Sequence, residues 1–334
     1  QDRDPLLGVV LNRKRIGFFR ASQIEGELKK VSPRARSRPF AIHSLIRHNA
    51  DALVSMLKAA GCKSGWYWVH DYSSICTGYT LLRNDVEFCG APPPTSTACS
   101  ICVYGALRTE QMKAHEYLFD QLDLTVLAPS DAALDVWKAG ISVAAPAKVH
   151  EHLTFTSARK EVRKSSSAGQ PLRIAYVGQA VSHKGWLAFR ELALKFGKDP
   201  RYEFHHVGKD PTPGIPVKFT EVAVGPNDLD KMVRTLSALK IDVALLWSLW
   251  PETFCIAAAE AIQAGAAVFT FKDSGNVAAM VRKTGFGAIF DSEVELERLF
   301  ETGDVARLAA SKRPSGVVTK FSNMTADFIE GEAA

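Results

Sequence analysis

Two glutamates eight positions apart are the residues best placed to do chemistry. They lie in Trp247-Ser-Leu-Trp-Pro-Glu-Thr-Phe-Cys-Ile-Ala-Ala-Ala-Glu-Ala-Ile-Gln-Ala-Gly265, with Glu252 in a loop and Glu260 two turns into a helix. The apolar run Val243–Trp247 reads as a buried strand, so the segment falls at the carboxyl edge of a parallel sheet, where open α/β sheets bind ligands. Both carboxylates could then face one ligand. A carboxylate accepts two hydroxyl hydrogen bonds at once, which suits a polyol such as a ribose joined to a hexose. Each such charge-assisted bond contributes roughly 1.5–3 kcal/mol.

Two further turns carry groups suited to an anion. Val177-Gly-Gln-Ala-Val-Ser-His-Lys-Gly-Trp186 places Gly178, Gln179 and Lys184 between a strand and a helix. In Phe271-Lys-Asp-Ser-Gly-Asn-Val-Ala-Ala-Met280, the N–H groups of Gly275, Asn276 and Val277 would point from a helix start toward a negative charge. Cys76, Cys89, Cys99 and Cys102 end in a CxxC within a loop holding Pro92, Pro93 and Pro94. Four thiolates satisfy a tetrahedral zinc, so a structural zinc is one expectation, with free buried thiols and disulfides as the alternatives. Cys62 and Cys255 read as core residues. Asp228-Leu-Asp230 has the form of a DxD metal motif, but its place at a helix start favours capping.

The elements that must position these groups are regular from residue 171 onward. Strands are expected at Leu172–Val177, Tyr202–Val207, Val243–Trp247 and Ala267–Phe271, alternating with helices at Trp186–Phe196, Asp228–Leu239, Ile256–Ala264 and Val277–Lys283. Such alternation implies right-handed βαβ units and a parallel sheet. The first half is less regular. Strands are expected at Gly8–Leu11, Arg15–Phe19, Ala41–His43, Tyr67–His70 and Leu124–Ala128, with helices up to Leu57 and over Ser130–Lys138, where Ser130 suits an N-cap. Ser157–Gln170 has the composition of an exposed linker.

The Glu252–Glu260 segment resembles the signature of glycosyltransferase family 4 and related retaining, nucleotide-sugar-dependent families, of a bacterial surface-polysaccharide type. Pro251, Glu252, Thr253, Phe254, Glu260 and Gly265 stand at the matching places. The resemblance implies an α/β chain of GT-B fold, two Rossmann-like domains with parallel sheets facing across a cleft. It implies that Glu252 holds the donor sugar's hydroxyls and Glu260 the ribose, and that Lys184 grips the diphosphate. Gly178, Thr253, Phe254 and the turn at Gly275 would line the donor. Gln179 stands where the family carries an Arg, a departure that puts activity in doubt more than fold. Ala278 and Ala279 offer no carboxylate where the family often has a Glu. Tyr67-Trp-Val-His-Asp-Tyr-Ser-Ser-Ile-Cys76 looks like the end of an acceptor-domain strand, which makes His70, beside Asp71, the residue facing the donor from across the cleft. The segments Ala41–His48 and Leu127–Leu134 resemble other strand–helix junctions of that domain.

By this resemblance residues 1–165 form the acceptor-side domain and residues 171–315 the donor domain, and residues 316–334 hold a closing helix that crosses back. Fewer than 40 residues precede Ile42 and no Gly-Gly loop occurs, so the first domain is expected to be reduced, diverged or completed by other sequence. The implied chemistry is sugar transfer from a UDP-, GDP- or dTDP-sugar to a glycan or glycolipid acceptor, with no cofactor needed. Two rivals are a non-catalytic GT-B module binding a nucleotide-sugar or a partner, and a GT-B isomerase or phosphorylase.

Composition sets the outer bounds. The chain has 334 residues, 46% hydrophobic and 23% charged, enough for two ordinary globular domains. No apolar run approaches the roughly 20 residues of a membrane-spanning helix. The expected location is cytoplasmic, including the inner face of the membrane. Gln1 at the start suggests a chain excised from a longer polypeptide, or a processed one. The net charge of +5 is concentrated early, at Arg13, Lys14, Arg15, Lys29, Lys30, Arg34, Arg36 and Arg38. A solvated basic segment and a peripheral contact with an anionic membrane surface are both compatible with it. No nucleic-acid-binding motif accompanies the charge, so a nucleic-acid partner is not expected.

Overall fold

The computed structural model describes residues 4–31, 38–156, 170–225 and 228–329. Arg34, Arg36, most of the linker segment and Asn227 lie outside the described residues. The chain divides into two compact units. One comprises Gln1–Asp85 and Cys89–Glu151 with the tail from Asn323, and the other Val86–Phe88 with His152–Ser322.

The second unit is built on a six-stranded, wholly parallel sheet. Its spatial order is Lys218–Glu221, Tyr202–Gly208, Leu172–Val177, Val243–Leu245, Ala267–Phe271, Gly287–Phe290. The central strands are mostly apolar because helices cover both faces. On one face Ile256–Gln263 and Lys231–Ala238 pack through Ala258, Ala259, Ile262, Met232 and Leu236. Trp186–Phe196 covers the other through Trp186, Phe189, Leu192 and Phe196. The order reverses beside Leu172–Val177, so the carboxyl ends of Leu172–Val177 and Val243–Leu245 form the edge where such sheets take ligands. An antiparallel ribbon of Leu153–Thr156 with Val318–Phe321 completes the unit.

The first unit holds a four-stranded parallel sheet in the order Ala41–Ile42, Ser64–Trp68, Asp123–Ala128, Ala147–Val149. Helices Ala50–Ala59, Gly105–Gln121 and Asp131–Gly140 accompany it. Asn49 and Ser130 cap two of them, their side chains accepting from Ala52 N and Ala133 N. Before the sheet comes a hairpin, Leu6–Leu11 with Lys14–Arg20, closed by Asn12 and Arg13. Both turn residues have positive φ, 48° and 66°, as a tight two-residue hairpin requires.

Several expectations change. The strand expected at Tyr67–His70 is Ser64–Trp68, which places His70 just beyond its end. The helix expected over Asp228–Leu239 is Lys231–Ala238. Phe321 ends a strand, and the helix of the tail is the short Ala326–Ile329. It lies within the first unit, where Trp68 Nε1 donates to Thr325 Oγ1 at 2.8 Å and Asp327 bonds His150 at 2.9 Å.

Two glycines show how tightly the second unit's edge is packed. Gly185 has φ +81°, and a Cβ there would sit 1.9 Å from the Trp247 carbonyl oxygen. Gly214 has φ +82° with nothing within 4 Å. Gly214→Ala therefore measures conformational strain alone, about 1 kcal/mol. Gly185→Ala adds a backbone collision, for roughly 2–4 kcal/mol in total. Denaturant unfolding of the two variants is expected to show that order.

Candidate functional site

The loop after Val243–Leu245 turns the second unit's edge into a polar site. Glu252 is buried, 6% exposed, and its Oε1 accepts from Trp250 Nε1 at 2.9 Å with Ser248 Oγ at 3.3 Å. Burial pushes the Glu252 carboxyl above its usual range, and the charge of nearby Lys184 and the two hydrogen bonds only partly oppose it. Its backbone is fixed as firmly: the Glu252 carbonyl accepts from Asn276 N at 2.8 Å. That approach depends on Gly275, at φ +59°, where a Cβ would lie 2.4 Å from the Pro251 carbonyl carbon. Ser274 Oγ donates to Ser248 O at 2.7 Å, tying the two loops together a second time.

Lys184 ends a short 3₁₀ turn, Ser182–Lys184, that Gly185 closes in the left-handed conformation. The turn is held to the Glu252 loop by Leu249 N donating to His183 O at 3.0 Å. Lys184 is exposed and free to reach an anion above the edge. Gln179 is exposed too, its carbonyl accepting from Tyr176 Oη at 2.8 Å. Gly178 has φ +116°, and its carbonyl accepts a bond from His206 at 3.0 Å when that Nε2 is protonated.

Glu260 lies one helix further in and is 9% exposed. Burial, and then the charge of Asp230, push its carboxyl up to about 7. The DxD pair thus divides: Asp228 bonds Arg234 at 2.6 Å, while Asp230 stands at the head of Lys231–Ala238 without a side-chain capping bond.

Three sequence expectations need correction. The N–H groups of Asn276 and Val277 are not free to meet an anion, because they bond Glu252 O and Ser274 O. The helix start grips the protein's own loop, leaving the Gly275 N–H as the remaining candidate. Phe254 is a core side chain, 5% exposed and 5.2 Å from the His152 ring, so its contribution is structural. The four cysteines do come together, around a cavity of about 20 Å³. Among the described residues, however, no group of three or more His, Cys, Asp or Glu is placed to hold a metal. Buried Arg108 intrudes instead, its Nη1 donating to Cys99 Sγ at 3.1 Å and its Nε to Ile75 O at 3.2 Å. A guanidinium fixed among the sulfurs opposes a dication there, and all six cysteines are free thiols. Thr253 is buried beside Glu252.

In the first unit, His70 and Asp71 follow the strand Ser64–Trp68 at the carboxyl edge of its sheet. Neither stands alone. His70 Nε2 lies 2.9 Å from His43 Nδ1, and Ser44 Oγ donates to Asp71 Oδ2 at 2.8 Å. The rings of His43, His70 and Trp68 are parallel within 8°. Burial lowers the pKa of His43. His43, the partner of this candidate, is a residue that sequence reasoning passed over. The only signal was its place at the end of an expected strand, and its partner is 27 residues away.

With this geometry in view, the comparisons define a class. No protein-family model matches the sequence, and no curated protein matches it. Solved structures do match, and they are GT-B glycosyltransferases. TarM aligns over 91% of this chain and 55% of its own, at 11% identity and a TM-score of 0.55. Anabaena HepE in complex with UDP aligns over 94% of this chain and 81% of its own, at 15% identity and a TM-score of 0.54. A TarM variant from S. aureus, in complex with fondaparinux, α-GlcNAc-glycerol and UDP, aligns over 92% and 57%, at 11% identity and 0.52. The chain therefore has the GT-B fold, and it spans little more than half the length of TarM.

Glu260 gives a stability test that needs no ligand. A carboxyl whose folded pKa is raised from 4.5 to about 7 binds its proton more tightly in the fold. The resulting stability is present at low pH and lost as pH rises through about 7. Glu260→Gln is therefore expected to stabilise the unliganded protein by roughly 1–3 kcal/mol at pH 8 and by less at pH 5, read by urea unfolding.

Proposed function

We propose that the chain is a retaining glycosyltransferase that moves a sugar, of hexose type, from a nucleotide-sugar to a glycan or glycolipid acceptor without a metal. The observation that carries this reading is Glu252: a carboxylate buried at a sheet edge, fixed by Trp250, Ser248 and Asn276, and sensing Lys184. Burying a carboxylate is costly, and a structural role would be served as well by a neutral side chain. A donor hydroxyl group is the partner such an acceptor is suited to.

In the proposed reaction the bond between the sugar's anomeric carbon and the diphosphate oxygen breaks, and the electron pair leaves with the diphosphate. Lys184 and the Gly275 N–H stabilise that developing charge. Glu252 orients the sugar through its hydroxyls while the anomeric centre gains oxocarbenium character. Glu260 accepts from the ribose hydroxyls, with Gly178, Gln179 and Thr253 lining the donor. The acceptor oxygen forms the new bond and passes its proton to the departing diphosphate oxygen, and the His70–His43 pair belongs to the acceptor-side machinery. UDP and UDP-glucose are found in HepE, which makes a UDP-sugar the first donor to try. An acceptor in bacterial surface polysaccharide, and work at the cytoplasmic face of the membrane, complete the proposal.

A second reading is favoured by Gln179. A neutral amide where related enzymes place a cation weakens diphosphate stabilisation, as in a module that binds a nucleotide-sugar without turning it over.

Thermal stabilisation across UDP-, GDP- and dTDP-sugars tests the donor site. A matching donor at 100 times its dissociation constant is expected to add about 2.7 kcal/mol. Glu260→Ala and Lys184→Ala should each remove the shift. Absence of a shift with every donor would exclude the reading, and a shift without product formation would select the non-catalytic one.

Protonation of Glu260 removes an acceptor, so donor affinity should weaken as pH falls through about 7. The dissociation constant is expected to rise roughly tenfold between pH 8 and pH 6. Calorimetric titration at the two pH values reads it, with Glu260→Gln showing no such dependence.

A further inference from the structure

The first unit contains a cavity of about 390 Å³ that the donor chemistry does not use. Its walls come from the N-terminal hairpin, the helix Ala21–Val31 and the helix Ala50–Ala59. Leu7, Val9, Ile24, Leu53 and Met56 line it, and all five remain half-exposed. That volume, with apolar walls and few polar groups, is typical of a small-molecule site.

The polar groups are unevenly placed. His43 and Ser44 stand at the end of the strand Ala41–Ile42, and they are the residues that bond His70 and Asp71. Asn49 is committed to capping its helix. The cavity is thus mostly apolar along its walls, with His48 a further polar group on its lining, and polar where it meets the His43–His70 pair. An amphipathic ligand has that same order, an apolar chain ending in a hydroxylated head.

The outer surface of the hairpin indicates where such a ligand comes from. Leu11, Ile16 and Phe18 are each more than half exposed. Arg13, Lys14 and Arg15 lie among them, with the Arg15 guanidinium 5.4 Å from the Phe18 ring centre. Exposed apolar side chains interspersed with cations suit the boundary of an anionic lipid layer. Two lysines of the neighbouring helix contribute less, because Lys29 pairs with Glu25 and Lys30 with Glu27, each at 2.6 Å.

We propose that this cavity holds the hydrocarbon chain of a lipid-linked acceptor, presenting its head group to the His43–His70 pair. The assignment of the head group as acceptor rests on the glycosyltransferase reading, whereas the binding of the chain does not.

The test is direct binding of n-alkyl β-glucosides from methyl to decyl, without donor and below micelle-forming concentrations. Affinity is expected to rise about fourfold per added methylene until the cavity is filled, then level off. Ala52→Trp and Met56→Trp, which fill the cavity, should flatten the series, and Phe18→Ser on the outer hairpin face should leave it intact. A series that is flat in the unmodified protein, or abolished by Phe18→Ser and untouched by Ala52→Trp, would overturn the proposal. Stabilisation by the UDP-, GDP- and dTDP-sugars, measured on the same samples, separates the two claims. Chain-length dependence without a nucleotide-sugar shift would keep the lipid site and remove the transferase reading. A nucleotide-sugar shift with a flat series would do the reverse.

Discussion

The second unit depends on one close approach of backbone to backbone. The loop from Trp247 to Phe254 is clamped from two sides by chain that comes nearer than a β-carbon permits: Gly185 against Trp247, and Gly275 against Pro251 and Glu252. With both sides in place, Asn276 N–H reaches the Glu252 carbonyl and Ser274 reaches Ser248. The Glu252 side chain is then held away from water with its rotamer set by Trp250. Pre-organisation of this kind transfers the cost of burying a carboxylate to the folding of the unit, so the site does not meet it again on binding.

Much of this was legible in the sequence because apolar runs that are buried on both faces have few alternatives. Leu172–Val177 and Ala267–Phe271 are strands at the expected residues, and Trp186–Phe196 is a helix to the residue. Glu252 and Lys184 come near each other because both lie in loops after neighbouring parallel strands, at one edge of the sheet. The helix start at Gly275 shows the limit of that logic. Its sequence fits an anion site, but hydrogen bonds to the neighbouring loop have taken its Asn276 and Val277 donors, and competition of that sort leaves no trace in a linear pattern.

The first unit was harder to read for the same reason in reverse. The longest described helix, Gly105–Gln121, was invisible because its buried side includes Arg108 and His115 beside Met112 and Leu118. Ala21–Val31 buries only Ala21 fully, and its apolar positions Ile24, Leu28 and Val31 are too few to stand out in the sequence. The cysteine spacing left a metal and free thiols both open, and Arg108, which bonds Cys99, arrives from that unrecognised helix. His43 and His70 find each other through strand order in a sheet, which neither residue's neighbours encode.

Synthesis from the amino end gives the two units different histories. The second closes when Val318–Phe321 pairs with Leu153–Thr156, and its last bond runs from Ser322 N to His152 O at 2.9 Å. The first is still unfinished at that moment. Trp68 takes its hydrogen-bond partner from Thr325, 257 residues later, while Trp66 packs against Phe328 and His150 bonds Asp327. In chain order the strands of the second unit are therefore all present before the contacts that cover Trp66 and Trp68 of the first. Completion of the first unit therefore waits for Thr325, Asp327 and Phe328, and a polypeptide that stops short of Thr325 carries all the strands of the second unit beside an unfinished first.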